Sequence, residues 1–156
     1  MAVPATNADL AAVRAIKKRM IIMTIQSIAI KDYMCASHVL FTPDMEIMKA
    51  IQVLVKNRIS GAPVINERGD LIGLLSEKDC MKVSINAGYH EQHGGKVQDY
   101  MNKQVTTVEA DSTIIDMARL FLEKEPRRYP VVEDNRLVGQ ISRRDVLRAL
   151  VDIIKR

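Results

Sequence analysis

The 156-residue sequence is poor in aromatic side chains, with no tryptophan, two phenylalanines and four tyrosines. Proteins that bind single-stranded nucleic acid stack the bases on such rings, so this scarcity argues against that function. The net charge of +4 is a mild basic excess that suits a small phosphate better than a polymer. A weak nucleic-acid-binding module remains an alternative because of five arginines: Arg127, Arg128, Arg143, Arg144 and Arg148.

Cysteine is equally scarce. Cys35 and Cys80 lie far apart and form no Cys-x-x-Cys pair, which excludes a disulfide framework and a zinc knuckle. Neither thiol has an evident activating partner, and His90 with His93 supplies only two of the ligands that a zinc site needs. We therefore expect no catalytic residue, no metal and a reducing, cytoplasmic compartment.

The sequence also lacks an apolar run long enough to span a bilayer. The basic residues 14–19 precede an apolar stretch at 20–30 that three polar residues interrupt, so neither secretion nor a membrane partner is expected. Ahead of this stretch, Leu10, Val13, Ile16 and Met20 recur at helical spacing and predict an amphipathic helix. Packing is favoured over attachment to a membrane surface because the helix has no large aromatic anchor.

Beyond this helix, the chain repeats itself. Residues 32–34, Asp-Tyr-Met, recur 67 positions later at 99–101, and Pro63-Val64 recurs as Pro130-Val131. After the loss of one residue in a turn, two Gly-x-x-Ser-x-x-Asp motifs align at an offset of 66. The predicted divisions are the N-terminal helix and lead-in at 1–30, the first repeat at 31–85, a linker at 86–97 and the second repeat at 98–156.

Each repeat predicts the order strand, helix, strand, strand, helix. The first strands are predicted at 39–41 and 105–108, followed by helices that the cap candidates Asp44 and Asp111 open. These helices end near Lys56 and Lys124. Hairpins follow at 62–65 with 71–75 and at 129–132 with 137–141. The last helix is predicted to be short in the first repeat and to run over 143–153 in the second.

The Gly-x-x-Ser-x-x-Asp motifs carry the clearest chemistry, because each lies where a strand becomes a helix. Ser76 and Ser142 are placed to help a helix N-terminus hold a phosphate, and Asp79 and Asp145 could accept a vicinal diol. The preceding glycine would let a ligand approach the backbone. The same pattern is also a helix capping box, and a serine can serve both roles.

Basic residues distinguish the two motifs. Arg143 and Arg144 flank the second, and Arg127 and Arg128 precede the neighbouring strand, where guanidinium groups suit bidentate phosphate contacts. The first repeat instead carries Ser60, Gly61, Glu77 and Lys78, with one acidic group where a phosphate would sit. The second repeat is therefore the better predicted phosphate site, and one occupied cleft is expected rather than two.

The duplicated unit, its Pro-Val strands and its two Gly-x-x-Ser-x-x-Asp turns resemble a tandem pair of CBS domains, or Bateman module, over about residues 31–153. The resemblance implies an α/β (α+β) fold of two pseudo-symmetric β-α-β-β-α repeats packed through their sheets. It also implies clefts for an adenosine-containing ligand and pairing into a homodimer. Carried over, it assigns Asp79 and Asp145 to the ribose, and Ser76, Ser142 and Arg128 to phosphates. An adenine slot is implied at Thr42, Val108, Ala62 and Tyr129.

The predicted function is a non-catalytic sensor that needs no cofactor and signals to a separate, unidentified protein. AMP, ADP, ATP, S-adenosylmethionine and NAD share the adenine and ribose that these motifs would read, so the sequence does not choose among them. A dimerisation scaffold without a ligand is the other alternative, in which the Ser and Asp pairs serve only as helix caps.

Overall fold

A computed structural model describes residues 6–87 and 94–155. The second repeat has the predicted order strand, helix, strand, strand, helix, with an additional short helix ahead of it, whereas the described first repeat has no strand before its first helix. The helices are α1 (Asn7–Ser27), α2 (Ile47–Asn57), α3 (Glu77–Ala87), α4 (Val97–Tyr100), α5 (Ile114–Glu123) and α6 (Arg143–Ile154). The strands are β1 (Gly61–Ile65), β2 (Leu71–Ser76), β3 (Val108–Glu109), β4 (Arg128–Glu133) and β5 (Arg136–Ser142). Strands β1 and β2 form an antiparallel pair, and the second sheet has the order β3-β4-β5.

Both predicted hairpins are confirmed, with different turns. The Asn66 side chain closes the first turn by accepting the backbone N–H groups of Arg68 and Asp70, each at 2.9 Å. The second turn is two residues long and places Asp134 and Asn135 at φ 50° and 64°. Asp and Asn are the side chains that best tolerate these left-handed angles.

The first strand of each repeat is shorter than predicted. In the first repeat, Phe41 alone forms a parallel bridge, to Val64 of β1. In the second, β3 pairs in parallel with β4 through Val108 opposite Val131 and Glu109 opposite Val132. The predicted strands at 39–41 and 105–108 were therefore too long at their N-terminal ends, because only the last apolar position reaches a partner strand.

The predicted cap of α2 was wrong. Asp44 lies ahead of the helix, and the first helical N–H, that of Ile47, donates to the backbone carbonyl of Gly95 at 2.9 Å. A distant segment of chain thus replaces a capping side chain. Asp44 instead accepts a hydrogen bond from the side chain of Thr42, which lowers the pKa of the Asp44 carboxyl.

The predicted cap of α5 was also wrong, although the helix is present. Thr113 is its N-cap, and the hydroxyl of Thr113 accepts the backbone N–H of Asp116 at 3.2 Å. Asp111 precedes this cap by two residues and cannot reach the same position. Helix α3 also differs from expectation, since it has 11 residues against 12 in α6 and is not short.

The described residues divide into two compact units, each of which contains residues of both sequence repeats. Unit 1 comprises residues 6–34, 110–128 and 141–155, and its buried side chains include Ile30, Ile114, Met117 and Val146. Unit 2 comprises residues 35–87, 94–109 and 129–140. Its core contains Phe41, Ile47, Leu54, Val64 and Leu75.

Within unit 2, two short antiparallel contacts occupy equivalent places in the repeats. The N–H groups of Leu74 and Asn102 each donate to the other residue's carbonyl at 2.9 Å. Cys35 and Gln140 exchange the same pair of bonds at 2.9 and 2.8 Å. Each hairpin is thereby joined to the segment that opens the other repeat.

The contact between Leu74 and Asn102 requires a glycine at position 73 of β2. A Cβ atom at Gly73 would lie 2.5 Å from Sδ of Met101 and 3.2 Å from the carbonyl oxygen of Asn102. The interpretation that this glycine lets a ligand approach is therefore wrong, because residues 101–102 of the same chain fill that space.

The predicted N-terminal helix is present as α1, which packs against α5 and α6, but it is not amphipathic as predicted, because apolar residues such as Ile22 also lie on its other side. No side chain of α1 is buried, and Leu10, Val13, Ile16 and Met20 remain 48% to 63% exposed. No described helix combines the length and apolarity required to cross a membrane.

We predict that Gly73→Ala destabilises the protein by about 1–3 kcal/mol, because the added methyl group must displace Met101 and press on Asn102. Urea unfolding measures the effect. Gly94→Ala is the matched control, since a Cβ atom there meets nothing within 4 Å. Equal stability of the two variants would contradict the close contact at β2.

Candidate functional site

The second Gly-x-x-Ser-x-x-Asp motif forms a complete capping box at the start of α6. One carboxylate oxygen of Asp145, Oδ2, accepts the Ser142 hydroxyl at 2.6 Å and the Ser142 backbone N–H at 2.8 Å. The other oxygen, Oδ1, lies 3.3 Å from a guanidinium nitrogen of Arg148. Asp145 is 7% exposed. The prediction that this Ser-Asp pair caps the following helix is therefore confirmed.

The first motif repeats this arrangement at the start of α3. Oδ2 of Asp79 accepts the Ser76 hydroxyl at 2.6 Å and the Ser76 N–H at 3.0 Å. Oδ1 of Asp79 lies 3.3 Å from Nζ of Lys82. In both repeats one carboxylate oxygen holds the helix end, while the other meets a cation and points away from the cap.

A pocket of about 630 Å³ opens beside the first motif, entirely within unit 2. Ser76 and Asp79 line one side, and residues 101–104 of the second repeat line the other. The backbone bonds between Leu74 and Asn102 hold these two sides together. The first motif thus lies in a formed cavity that contains residues of both repeats.

Three lysines surround this pocket: Lys78, Lys82 and Lys103. Sequence reasoning considered Lys78 but missed Lys82 and Lys103, and it placed the acidic Glu77 where a phosphate would sit. Glu77 is absent from the pocket lining in the described structure. A signal for Lys82 was present, since it lies one helical turn after Asp79, but nothing in the sequence pattern brings Lys103 to this place.

The four arginines predicted for the second site belong to unit 1, and all are exposed. The Arg143 guanidinium lies over the Phe121 ring at 5.9 Å and donates to the carbonyl of Glu125 at 3.2 Å. The backbone N–H of Arg143 donates to the carbonyl of Arg127 at 3.4 Å. The side chains of Arg127, Arg128 and Arg144 extend from neighbouring positions at the start of β4 and α6.

The predicted adenine-slot residues all lie in unit 2. Ala62 and Tyr129 are each 1% exposed and belong to strands β1 and β4. Val108 is half-buried in β3, and Thr42 is exposed just after Phe41. None of the four lines the pocket beside Ser76 in the described structure.

The surroundings of Cys80 disfavour a nucleophilic thiolate. Burial raises the pKa of the Cys80 thiol, and the adjacent charges of Asp79 and Glu77 raise it further. The predicted histidine pair, His90 and His93, lies outside the described residues. Within residues 6–87 and 94–155, no three metal-ligating side chains gather into a cluster.

The family model for the CBS domain matches residues 30–86 and 97–152. Together with the duplicated fold, this match shows that the chain belongs to the CBS domain family and carries two tandem copies. The predicted resemblance and fold class are therefore confirmed.

Individual relatives agree with this assignment. The uncharacterized protein MJ1426 of Methanocaldococcus jannaschii is 30% identical, over 78% of this chain and 90% of the relative. The chloroplastic protein CBSX1 of Arabidopsis thaliana is 31% identical over 71% of this chain, but only 58% of its own length is covered. A crystal structure of CBSX2 in complex with AMP is 30% identical with a TM-score of 0.70, covering 82% of this chain and 98% of that one.

We predict that Ser142→Ala lowers the free energy of unfolding by about 1 kcal/mol, because the first turn of α6 loses its capping hydroxyl. Urea unfolding followed by circular dichroism measures this change. Ser84→Ala is the control, since Ser84 is exposed within α3 and caps no helix. A Ser142→Ala variant as stable as the control would show that the cap contributes nothing.

Proposed function

We propose that this protein is a non-catalytic regulatory module that binds an adenosine-containing nucleotide at the Ser-Asp junctions of its CBS repeats. The observation that carries the proposal is the pocket beside Ser76 and Asp79, which two repeats line and three lysines surround. CBSX2, a relative of similar fold with 30% identity, has been solved with AMP. Cys35 and Cys80 form no disulfide with each other, which suits the reducing cytoplasm, where we propose that the protein resides.

In this proposal, Asp79 recognises the ribose. Its Oδ2 stays with Ser76, so the helix end remains capped, and Oδ1 accepts hydrogen bonds from the diol. Lys82 now meets that oxygen at 3.3 Å, but its side chain is 62% exposed and is able to turn away. Ligand binding would thereby release one lysine toward the phosphates.

The phosphates would lie among the lysines. The N-terminus of α3 directs the positive end of its helix dipole toward the region beside Ser76. Lys78, Lys82 and Lys103 add three positive charges around the same cavity. More than one phosphate would be needed to engage all three, so we propose that ADP and ATP bind this pocket more tightly than AMP.

The second junction is a further proposed site, with Ser142 and Asp145 in the corresponding roles and Arg127, Arg128, Arg143 and Arg144 around the phosphates. Its chemistry differs from that of the first. Arginines form bidentate phosphate contacts, whereas lysines act as point charges. The adenine slot at Thr42, Val108, Ala62 and Tyr129 stays a separate proposal within unit 2.

Nucleotide binding at a helix cap offers a route to regulation. The carboxylates that would bind ribose are the same ones that hold α3 and α6 to the strands before them. A ligand therefore adds stability to these junctions only in the folded arrangement it recognises. We propose that the resulting change is read by a separate protein.

A homodimer is the proposed assembly. Exposed apolar side chains recur at equivalent positions of the two repeats, on α2 and α3 in the first and on α5 and α6 in the second. Surface patches of this kind mark interaction sites, and a duplicated pattern suits pairing with a second copy of the same duplicated chain. The exposed pairs are Val55 with Leu122, Met81 with Leu147, and Ile85 with Val151.

We predict that AMP, ADP or ATP raises the melting temperature by several degrees at about one hundred times its dissociation constant. Asp79→Asn and Lys103→Glu should remove the part of this shift that arises at the first junction. Lys49→Glu is the matched control, because Lys49 is exposed on α2 away from the pocket lining. S-adenosylmethionine and NAD are tested in the same way. The variant Asp145→Asn measures how much of the shift in melting temperature arises at the second junction.

The same screen separates the rival functions. If no ligand shifts the melting temperature, the alternative of a dimerisation scaffold is supported, in which the Ser and Asp pairs act only as helix caps. Binding to RNA or DNA with a steep salt dependence would support the nucleic-acid reading instead.

For the dimer, we predict that Leu147→Glu weakens self-association about ten-fold or more in sedimentation velocity, because a carboxylate enters an apolar contact. Leu40→Glu is the control, since Leu40 is 40% exposed and its counterpart in the second repeat, Thr107, is polar. A monomeric parent protein, or equal effects of both variants, would rule out this interface.

A further inference from the structure

Helix α1 lies outside the residues that match the CBS family, and its apolar face is uncovered. Val13, Ile16, Met20 and Met23 are 60% to 64% exposed. Their spacing of three, four and three residues places them along one stripe, as in a helix that pairs with another helix. The stripe is therefore patterned for a helical partner rather than for solvent.

The stripe continues into a groove within unit 1. A cavity of about 490 Å³ separates α1 from the end of α6. On the α1 side it is lined by Val13, Ile16 and Met20, and on the α6 side by Ile153 and Ile154. Amphipathic helices dock into apolar grooves of this kind through residues spaced at i, i+3, i+4 and i+7.

The charge of α1 indicates which helix would fit. Two basic residues, Lys17 and Arg19, flank the stripe, and Lys17 itself lines the groove, while Arg14 and Lys18 lie toward the opposite side of the helix. Between positions 10 and 30 the sequence has no acidic residue. Such a surface favours a partner of opposite charge and opposes a second basic helix.

We propose that the groove between α1 and α6 binds an acidic amphipathic helix of another protein. The partner would place its apolar residues along Val13, Ile16 and Met20 and its carboxylates against Lys17 and Arg19. A second copy of this chain fits poorly, because its α1 offers the same four cations and only Asp9 as an acid. A membrane surface is disfavoured because the stripe has no aromatic anchor.

The test uses two synthetic helical peptides on the order of 18 residues long. Both carry leucine at i, i+3, i+4 and i+7, with glutamate at the flanking positions in one and lysine in the other. Fluorescence anisotropy of each labelled peptide is followed against the full-length chain. The acidic peptide should bind at least ten-fold more tightly, and added salt should weaken its binding.

Variants locate the binding to the groove. The double variant Ile16→Ser with Met20→Ser, and separately Lys17→Glu, should each weaken the acidic peptide about ten-fold or more. Ile22→Ser is the matched apolar control, because Ile22 is 45% exposed but does not line the groove. Lys56→Glu is the charge control on α2. Circular dichroism confirms that each variant is folded.

Three results would overturn the proposal. The first is equal or absent binding of the two peptides, and the second is loss of self-association in the Ile16 and Met20 double variant alone. The third is co-sedimentation of the full-length chain with phosphatidylserine vesicles that this variant abolishes. The second result would give the groove to another copy of the chain, and the third to a lipid surface. The inference does not depend on nucleotide binding, because the double variant is expected to keep the nucleotide-induced shift in melting temperature.

Discussion

The Ser-Asp capping box at each strand-to-helix junction is the interaction on which the site depends. In both repeats a single carboxylate oxygen accepts two hydrogen bonds from the serine and so fixes the first turn of the following helix. The second oxygen of the same group is turned outward, toward a cation. One side chain therefore defines the fold locally and presents the acceptor that the proposed ligand would use.

The position of the pocket follows from a second constraint, the short antiparallel contact between β2 and the opening segment of the other repeat. The absence of a side chain at Gly73 allows residues 101–102 to reach the strand, and the paired bonds of Leu74 and Asn102 fix that segment beside the motif. The same segment supplies Lys103 and one wall of the pocket. A glycine that looked like a place for ligand contact thus shapes the pocket through packing.

The sequence predicted the class, the hairpins and the two Ser-Asp junctions, because internal duplication and local turn chemistry are both visible in one chain. It failed where distant backbone replaces local side chains. Gly95 caps α2, so Asp44 is not needed there. Likewise, Lys103 reaches the first motif only through tertiary contact, so the sequence did not predict this cation there. The preference for the arginine-rich second motif stays a prediction.

Helix α1 illustrates the same limit. Its apolar spacing predicted a helix, and a helix is present, but its packing against α5 and α6 leaves Val13, Ile16 and Met20 uncovered. A periodic pattern shows that a face must be buried against something and does not identify the partner. The lack of acidic residues in α1 after Asp9 indicates that the partner is acidic. The spacing of the apolar residues does not indicate the charge of the partner.

An amide-resolved NMR titration with ATP would show whether a nucleotide binds beside Ser76 and Asp79. The backbone signals of Ser76, Asp79, Asn102 and Lys103 should shift together and saturate with one affinity. If ATP binds but these signals stay unchanged while those of other residues move, the assignment of the site is wrong. If no signal moves at saturating ATP, the account of this protein as an ATP-binding module is contradicted.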